Sequence, residues 1–234
     1  MASQTEKTFG SRLSNAESLS THLSTFIAYS PVRPEDSQVN YNILLADIKT
    51  INALVATNKT IYSQAVDNRI KLFSKNSDSL LKTLAPIAGQ VKAKFGKNSK
   101  EAKDISALIV KIRGEQTSKL KKDADGEFVS QSERSYGSQT QHFADIIAIL
   151  TQYGADYAPS NIKIKIATLS TQLTALNAAN IAVTTAFGQL KPAQETRQLQ
   201  YTDLKDRSDR IKESIKSQYG TTSSEYKLIK GLKI

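Results

Sequence analysis

Apolar residues recur along this chain at alternating spacings of three and four positions. In the second half the pattern is unbroken and includes a single asparagine. Its members are Ile166, Leu169, Leu173, Leu176, Asn180, Val183, Phe187 and Leu190. Such a seam is typical of a helix that packs lengthwise against a neighbouring helix. It predicts a helix of about 30 residues, which is about 45 Å long at 1.5 Å per residue.

A looser seam marks the first half, and shorter apolar stripes flank both seams. The looser seam consists of Leu44, Ile48, Ile51, Leu54, Asn58, Ile61 and Ala65. Helical stripes precede the two seams at Leu13–Phe26 and Phe143–Tyr153, and others follow them at Leu80–Phe95 and Leu204–Tyr219. No stretch alternates convincingly with the period of a β-strand. We therefore expect an all-α protein in which each half has three helices and a short fourth.

The two halves also resemble each other in sequence. The stretch VKAKFGKNSKEAKDI (91–105) returns as IKSQYGTTSSEYKLI (215–229), with six of fifteen positions identical. Other matches pair FGS (9–11) with YGS (136–138) and YSP (29–31) with YAP (157–159). This self-similarity predicts two tandem, diverged helical repeats, related by a pseudo-two-fold axis in an elongated up-and-down bundle. The repeats would span 1–113 and 136–234, joined by a polar linker at 114–135, and would form either one shared core or two.

The repeated phrase has the features of a helix end followed by a helix start. Gly96 and Gly220 come directly after the last periodic apolar residue, where a left-handed helix end favours glycine. Asn98 with Glu101 has the spacing of a capping box, and so has Thr222 with Glu225. Each repeat is therefore expected to close with the same corner.

Several function classes are excluded by composition. The chain has no cysteine, so disulfides and thiolate metal sites are absent. The opening stretch MASQTEKTFGSRLSNAES has no apolar core and does not read as a secretory signal. No apolar run approaches the 18 or so residues of a membrane span. We expect a cytoplasmic protein.

Chemistry-bearing motifs are scarce. The only histidines, His22 and His142, lack the Glu-x-x-His context of bundle metal sites. DADGE (123–127) is an incomplete calcium loop and is interpreted as a solvated turn.

Asn58 and Asn180 are interpreted as register-setting polar positions, with a ligand site as the alternative. Tyr29 and Tyr157 are expected to plug the loop after the first helix of each repeat. KDRSDR (205–210) is interpreted as a solvated helix face. We predict no enzymatic activity, no cofactor, no metal and no small-molecule substrate.

The chain has a net charge of +10, and its densest basic stretch lies in the first repeat. Five lysines fall within twelve residues of the first repeat: Lys92, Lys94, Lys97, Lys100 and Lys103. The second repeat has neutral residues at three of these positions, so the charge does not follow the duplication. The lysines are the candidate anion-binding residues, able to attract nucleic acid or another anionic surface.

Three stretches of the second half, SYGSQTQHFADIIAILTQYGADYAPS, LSTQLTALNAANIAV and IKESIKSQYGTTSSEYKLIKGLKI, resemble uncharacterised bacterial helical-bundle proteins with no assigned activity. The resemblance covers most of the second repeat and more weakly the first. It implies an all-helical bundle and supplies no site.

The function predicted from sequence is therefore a non-enzymatic structural or protein-interaction bundle, a scaffold or adaptor that binds an unknown protein partner or a second copy of itself. The alternative is nucleic-acid or anionic-surface binding through the Lys92–Lys103 region. A third class, a bundle that opens onto a membrane surface, has no strongly apolar hairpin to support it.

Overall fold

The computed structural model describes residues 8–115 and 135–234. Within these ranges every regular element is helical and there is no strand, which confirms the all-α prediction. Most of the predicted polar linker, and the DADGE stretch with it, lies outside the described residues.

The α-helices are bounded as follows. They are α1 (Phe9–Leu23), α2 (Gln38–Ile70), α3 (Leu80–Phe95), α4 (Lys100–Arg113), α5 (Tyr136–Gln152), α6 (Ile166–Tyr219) and α7 (Ser224–Ile229). Short 3₁₀ turns occur at Pro34–Asp36, Gly154–Asp156 and Ile162–Ile164, and a π-helical turn at Lys71–Lys75 follows α2 directly.

The chain divides into two compact units, of which the first combines both ends of the sequence and the second is one continuous middle segment. The first unit comprises Met1–Thr60 and Gly188–Ile234, and the second comprises Ile61–Phe187. The first therefore contains α1, the start of α2, the end of α6, and α7. The second contains the end of α2, α3, α4, α5 and the start of α6. The predicted boundaries at 113 and 136 describe sequence similarity rather than packing and stay a prediction.

The core of the first unit joins its N-terminal and C-terminal segments. Its buried members include Leu19, Tyr41, Ile48, Tyr201, Leu204, Ile211, Ile215 and Ile229. The Phe9 and Tyr201 rings lie 4.6 Å apart, and those of Phe26 and Tyr219 lie 5.9 Å apart. The Arg197 guanidinium lies over Phe9 at 4.4 Å. Aromatic pairs with a stacked cation thus fix α1 and the residues just after it against the end of α6.

The core of the second unit has the same kinds of contact. Its buried members include Phe73, Leu84, Ile87, Val91, Ile105, Phe143, Ile146 and Leu169. The Phe73 and Tyr136 rings are 4.7 Å apart, and those of Phe95 and Tyr153 are 4.8 Å apart. Arg69 lies over Tyr136 at 4.0 Å. These contacts fix α5 against the segment from the end of α2 to α3.

The predicted seams lie on the buried faces of α2 and α6, with local shifts. On α6 the buried positions move by one residue, from Asn180 to Ala179 and from Phe187 to Ala186. On α2, Val55 is buried, whereas the predicted seam residues Leu54 and Ile61 are exposed. A strict 3-4 repeat drifts around a helix of 3.6 residues per turn, so a seam this long changes its inward residue.

One predicted helix boundary is wrong. The stripe Leu204–Tyr219 was expected to form a separate helix, but it continues α6, which spans 54 residues. In the first half the corresponding break does occur, because the π-helical turn and residues 76–79 separate α2 from α3. In α6 the buried residues Tyr201 and Leu204 are only three positions apart, so the buried face continues without a break. Pro192 is also accommodated inside this helix.

The corners between α3 and α4 and between α6 and α7 follow the prediction in part. Gly96 and Gly220 have φ of 95° and 93°, as expected for glycine at a helix end. The caps, however, are one residue later than predicted. Ser99 Oγ accepts from the Ala102 amide at 3.1 Å, and Ser223 Oγ accepts from the Tyr226 amide at 3.1 Å. A serine hydroxyl three residues before an amide is an effective N-cap, so the asparagine and threonine are not needed.

The loops after α1 and α5 close in the same way. Tyr29 Oη donates to the Asp36 carbonyl and Tyr157 Oη to the Ile164 carbonyl, each at 2.9 Å. Burial raises the pKa of both phenols to about 12. The prediction that these tyrosines plug their loops is confirmed by these contacts.

Candidate functional site

The lysine cluster lies where α3 ends and α4 begins, in the second unit. Both helices contribute to one core, through residues that include Ile87 and Val91 on α3 and Ile105 and Ile109 on α4. Because the apolar stripes face inward, the lysines between and beside them are left on the surface. The Gly96 corner brings the end of α3 beside the start of α4.

An open groove of about 470 Å³ runs along this corner. Its lining residues are Lys92, Lys97, Asn98, Ala102, Lys103, Ser106, Ala107, Val110 and Lys111. Four of the nine are lysines and none is acidic. We call this feature the α3–α4 groove. It brings together three of the five predicted lysines and adds one that the prediction omitted.

Lys111 could have been found from spacing alone. Lys103, Ala107 and Lys111 follow one another at intervals of four on α4 and so share a helix face. Charge density along the chain favours Lys92–Lys103 and does not extend to the next two turns of the helix.

The other two predicted lysines are engaged elsewhere. Lys94 Nζ lies 3.0 Å from an Asp156 carboxylate oxygen, and Lys100 Nζ lies 2.6 Å from one of Asp104. The hydrogen bond to Asp104 and its charge raise the pKa of Lys100. By contrast Lys92, Lys97 and Lys103 form no ion pair within residues 8–115 and 135–234. The five predicted lysines therefore fall into two sets. Lys92, Lys97 and Lys103 line the groove, whereas Lys94 and Lys100 are ion-paired.

A second basic cleft lies in the first unit and was not predicted. About 580 Å³ in volume, it is lined by Arg12, Lys205, Asp209, Lys212, Leu232, Lys233 and Ile234. Its cations are largely occupied. Arg12 donates to the Tyr201 carbonyl at 2.7 Å, Lys205 pairs with Asp209 at 2.7 Å, and Lys212 donates to the Leu232 carbonyl at 2.5 Å. Burial lowers the pKa of Lys212. Three of the four cations that line this cleft are therefore already bonded within the protein.

The polar residues singled out in the long helices make structural contacts. Asn58 Nδ2 donates to the Gln189 carbonyl at 3.1 Å, and Asn180 Nδ2 donates to the Tyr136 carbonyl at 3.5 Å. Each amide thus bonds the backbone of a neighbouring helix, which matches the packing interpretation rather than a ligand site.

The histidines show no metal-binding geometry. His22 stacks on Phe26 at 6.4 Å, and His142 Nδ1 lies 3.7 Å from an Asp145 carboxylate oxygen. Across the described part of the chain, no three His, Cys, Asp or Glu side chains are grouped closely enough to hold a metal ion.

The interpretation of the KDRSDR stretch as a solvated helix face is wrong at two positions. Ser208 is fully buried and hydrogen-bonds Tyr41 Oη at 2.7 Å. Arg210 makes a bidentate pair with Asp36, at 2.8 and 2.7 Å, and the Asp36 residue is only 4% exposed. Alternating charge does not reveal which positions turn inward on a long helix, since the facing helix decides that.

No protein-family model, curated protein or solved structure matches this chain. None of the helices in residues 8–115 and 135–234 is long and apolar enough to cross a membrane. Any assignment of function therefore rests on the surfaces described above and on the packing that positions them.

Proposed function

We propose that the protein is a non-enzymatic helical scaffold or adaptor of the cytoplasm that binds a protein partner. The observation that carries this proposal is the exposure of large apolar side chains on helices whose inner faces are already filled. Such side chains gain from burial against another surface, at about 25 cal/mol per Å² of apolar area.

The clearest pair lies at the start of α2 in the first unit. Val39 is 70% exposed and Ile43 is 54% exposed, and the two are four residues apart on one helix face. Leu199 on α6 is also exposed in this unit, and in the second unit Ile181 and Phe187 are exposed on α6. Isolated exposed apolar residues are ordinary, so the support for an interaction surface comes from the position of Val39 and Ile43 side by side on one helix face.

The proposed scaffold is built from two diverged repeats, and equivalent contacts in the two units support this. Phe9 and Tyr136 occupy the same place in the two repeats, at an offset of 127, and each receives an arginine over its ring: Arg197 in the first unit and Arg69 in the second. The pair Phe26–Tyr219 likewise corresponds to Tyr153–Phe95.

These correspondences indicate an exchanged arrangement. In each unit the first helix of one repeat packs against the later helices of the other repeat. A tandem duplication whose halves exchange elements would explain why each unit draws on segments from both halves of the chain. In a scaffold, this exchange would tie two similar binding surfaces into one chain.

The partner surface can be tested with a double substitution, Val39→Asp with Ile43→Asp. Thr50→Asp with Thr60→Asp is the matched control, because both threonines are exposed on the same helix in the same unit and the charge change is identical. The measurements are light scattering of the full chain and affinity capture from its native cell with mass-spectrometric identification.

The proposal expects a partner, or self-association, that is retained by the control and lost in the Val39/Ile43 variant. A chain that is monomeric and captures the same proteins whether or not Val39 and Ile43 are substituted would contradict it. Circular dichroism of each variant checks that the helices remain folded.

A second candidate is anionic-surface binding, which the α3–α4 groove specifically favours. It predicts retention on a heparin column that weakens as salt increases. Neutralising Lys97 and Lys103 together should lower the eluting salt concentration more than neutralising Lys94 and Lys100, because the latter pair is already matched by Asp156 and Asp104. Equal effects of the two double variants would argue against a localised site.

A further inference from the structure

We infer that the α3–α4 groove binds an acidic, amphipathic helical segment of a protein partner. The inference rests on the proposed function, since it names the chemistry of a partner for the interaction protein proposed above. The groove residues belong to the second unit and Val39 and Ile43 to the first, so the two can be tested independently.

The charge of the groove selects an acidic occupant. Lys92, Lys97, Lys103 and Lys111 line it without an acidic residue among the other lining residues. The whole chain carries +10, so the long-range field also favours approach of a negatively charged segment. Complementary charge raises the association rate and excludes basic competitors.

The floor of the groove selects an occupant with an apolar face. Between the lysines lie Ala102, Ser106, Ala107 and Val110, all on α4, and the Ser106 hydroxyl is turned to the Ala102 carbonyl at 2.6 Å. Small side chains leave room for the larger side chains of a docking helix. A segment with leucine or alanine on one face and glutamate on its flanks would satisfy both floor and rim.

Nucleic acid fits the groove less well. The lining contains no aromatic side chain on which a base could stack and no arginine to grip a phosphate with two hydrogen bonds. The nearest aromatic along the chain, Phe95, packs against Tyr153. Lys94 and Lys100 are also neutralised by their ion pairs, which leaves a shorter row of positive charges. A nucleic-acid backbone would need an uninterrupted row to match its phosphates.

Fluorescence anisotropy of the full chain tests this choice with defined probes. The first is a fluorescein-labelled peptide of about 18 residues, long enough for about five helical turns, with leucine and alanine on one face and glutamate elsewhere. The second carries glutamine in place of every glutamate. The third and fourth are single-stranded and duplex DNA of about 20 nucleotides. Each is titrated at about 50 mM and about 300 mM NaCl, since charge-driven binding weakens with salt.

Three variants locate the binding. Lys97→Gln with Lys103→Gln removes two groove charges, whereas Lys94→Gln with Lys100→Gln removes the same net charge outside the groove. Ala107→Trp fills the floor without changing charge, and Ala107 is exposed, so the core is undisturbed.

We expect the acidic peptide to bind and the glutamine peptide not to bind. The groove double variant and Ala107→Trp should each weaken binding about tenfold, and the control double variant less than about twofold. Absence of acidic-peptide binding at low salt overturns the inference. So does tighter binding of either DNA, or peptide binding that Ala107→Trp leaves unchanged. If the peptide experiments give any of these contrary results while partner capture still depends on Val39 and Ile43, the groove assignment is wrong and the scaffold proposal stands.

Discussion

At the scale of single residues, the effect of replacing glycine depends on whether the glycine ends a helix or lies inside one. Gly96 and Gly220 end helices at φ of 95° and 93°, where an L side chain is strained whatever the available space. Gly89 lies within α3 with open space around its missing side chain. The same substitution therefore has opposite expected signs at these positions.

Gly96→Ala should lower the free energy of unfolding by about 1–3 kcal/mol, because alanine would be held in a sparsely populated backbone region. Gly89→Ala should raise it by about 0.5–1 kcal/mol, because alanine favours the helix and restricts the unfolded chain. Urea denaturation followed by circular dichroism measures both. If Gly96→Ala leaves the free energy of unfolding unchanged, the backbone at this corner must adjust to accommodate alanine.

The Asp36–Arg210 pair is the residue-scale contact that sequence reasoning misread. Arg210→Met should destabilise the protein by about 2–3 kcal/mol, because it leaves the buried Asp36 carboxylate without its charged partner. Arg210→Lys keeps the charge but not the bidentate geometry, so its loss should be smaller. Denaturant titration at neutral pH ranks the variants. Equal losses for Met and Lys would mean that the fork of two hydrogen bonds, rather than charge, dominates.

At the scale of elements, the starts of α4 and α7 depend on one hydroxyl each. Ser99→Ala should cost about 1 kcal/mol, since the Ala102 amide loses its acceptor. Asn98→Ala removes the cap predicted from sequence and should leave stability nearly unchanged. The two variants differ by one position, so their comparison by thermal denaturation decides which residue caps the helix. A larger loss from Asn98→Ala would restore the sequence prediction.

The loop between α5 and α6 should respond to alkaline pH through Tyr157. Burial raises its pKa to about 12, above the value of about 10 expected in the unfolded chain. The folded state thus favours the neutral phenol. This contribution is fully present below pH about 10 and is lost as pH rises toward 12.

Tyr157→Phe tests that dependence. At pH 8 the variant should be less stable than the parent by about 1 kcal/mol, because the bond to the Ile164 carbonyl is gone. The difference should narrow as pH rises above 10, since only the parent carries the ionising phenol. Denaturant titrations at intervals from pH 8 to the alkaline limit measure the gap, and a constant gap would show that Tyr157 does not titrate with folding.

At the scale of the whole molecule, both units require segments from either side of residues 116–134. We expect cleavage at a protease site introduced there to leave the two fragments associated, because α1 and α2 pack with the end of α6 in one unit while α3 and α4 pack with α5 in the other. Size-exclusion chromatography in native buffer and in urea measures this. Fragments that separate in native buffer would mean that each half of the chain has its own core.

Much of the fold is predictable from local pattern. The helical period, the corner glycines and the stripe on α3 follow from side-chain spacing and backbone preference, which act within a few residues. Lys111 was also readable, from its place two turns beyond Lys103. The cap at Ser99 was missed because two neighbouring polar residues both qualify, and only the backbone geometry distinguishes them.

By itself, the sequence determined that this chain is helical, which faces of most helices are apolar, and where its lysines are densest. The tertiary structure alone decided that α6 runs unbroken, that Arg210 turns inward to Asp36, and that Lys97 and Lys103 share a groove while Lys94 and Lys100 are paired. The physical reason is range. Helix formation responds to neighbours within a turn or two, whereas the Asp36–Arg210 ion pair joins residues 174 positions apart and the Phe9–Tyr201 contact joins residues 192 positions apart.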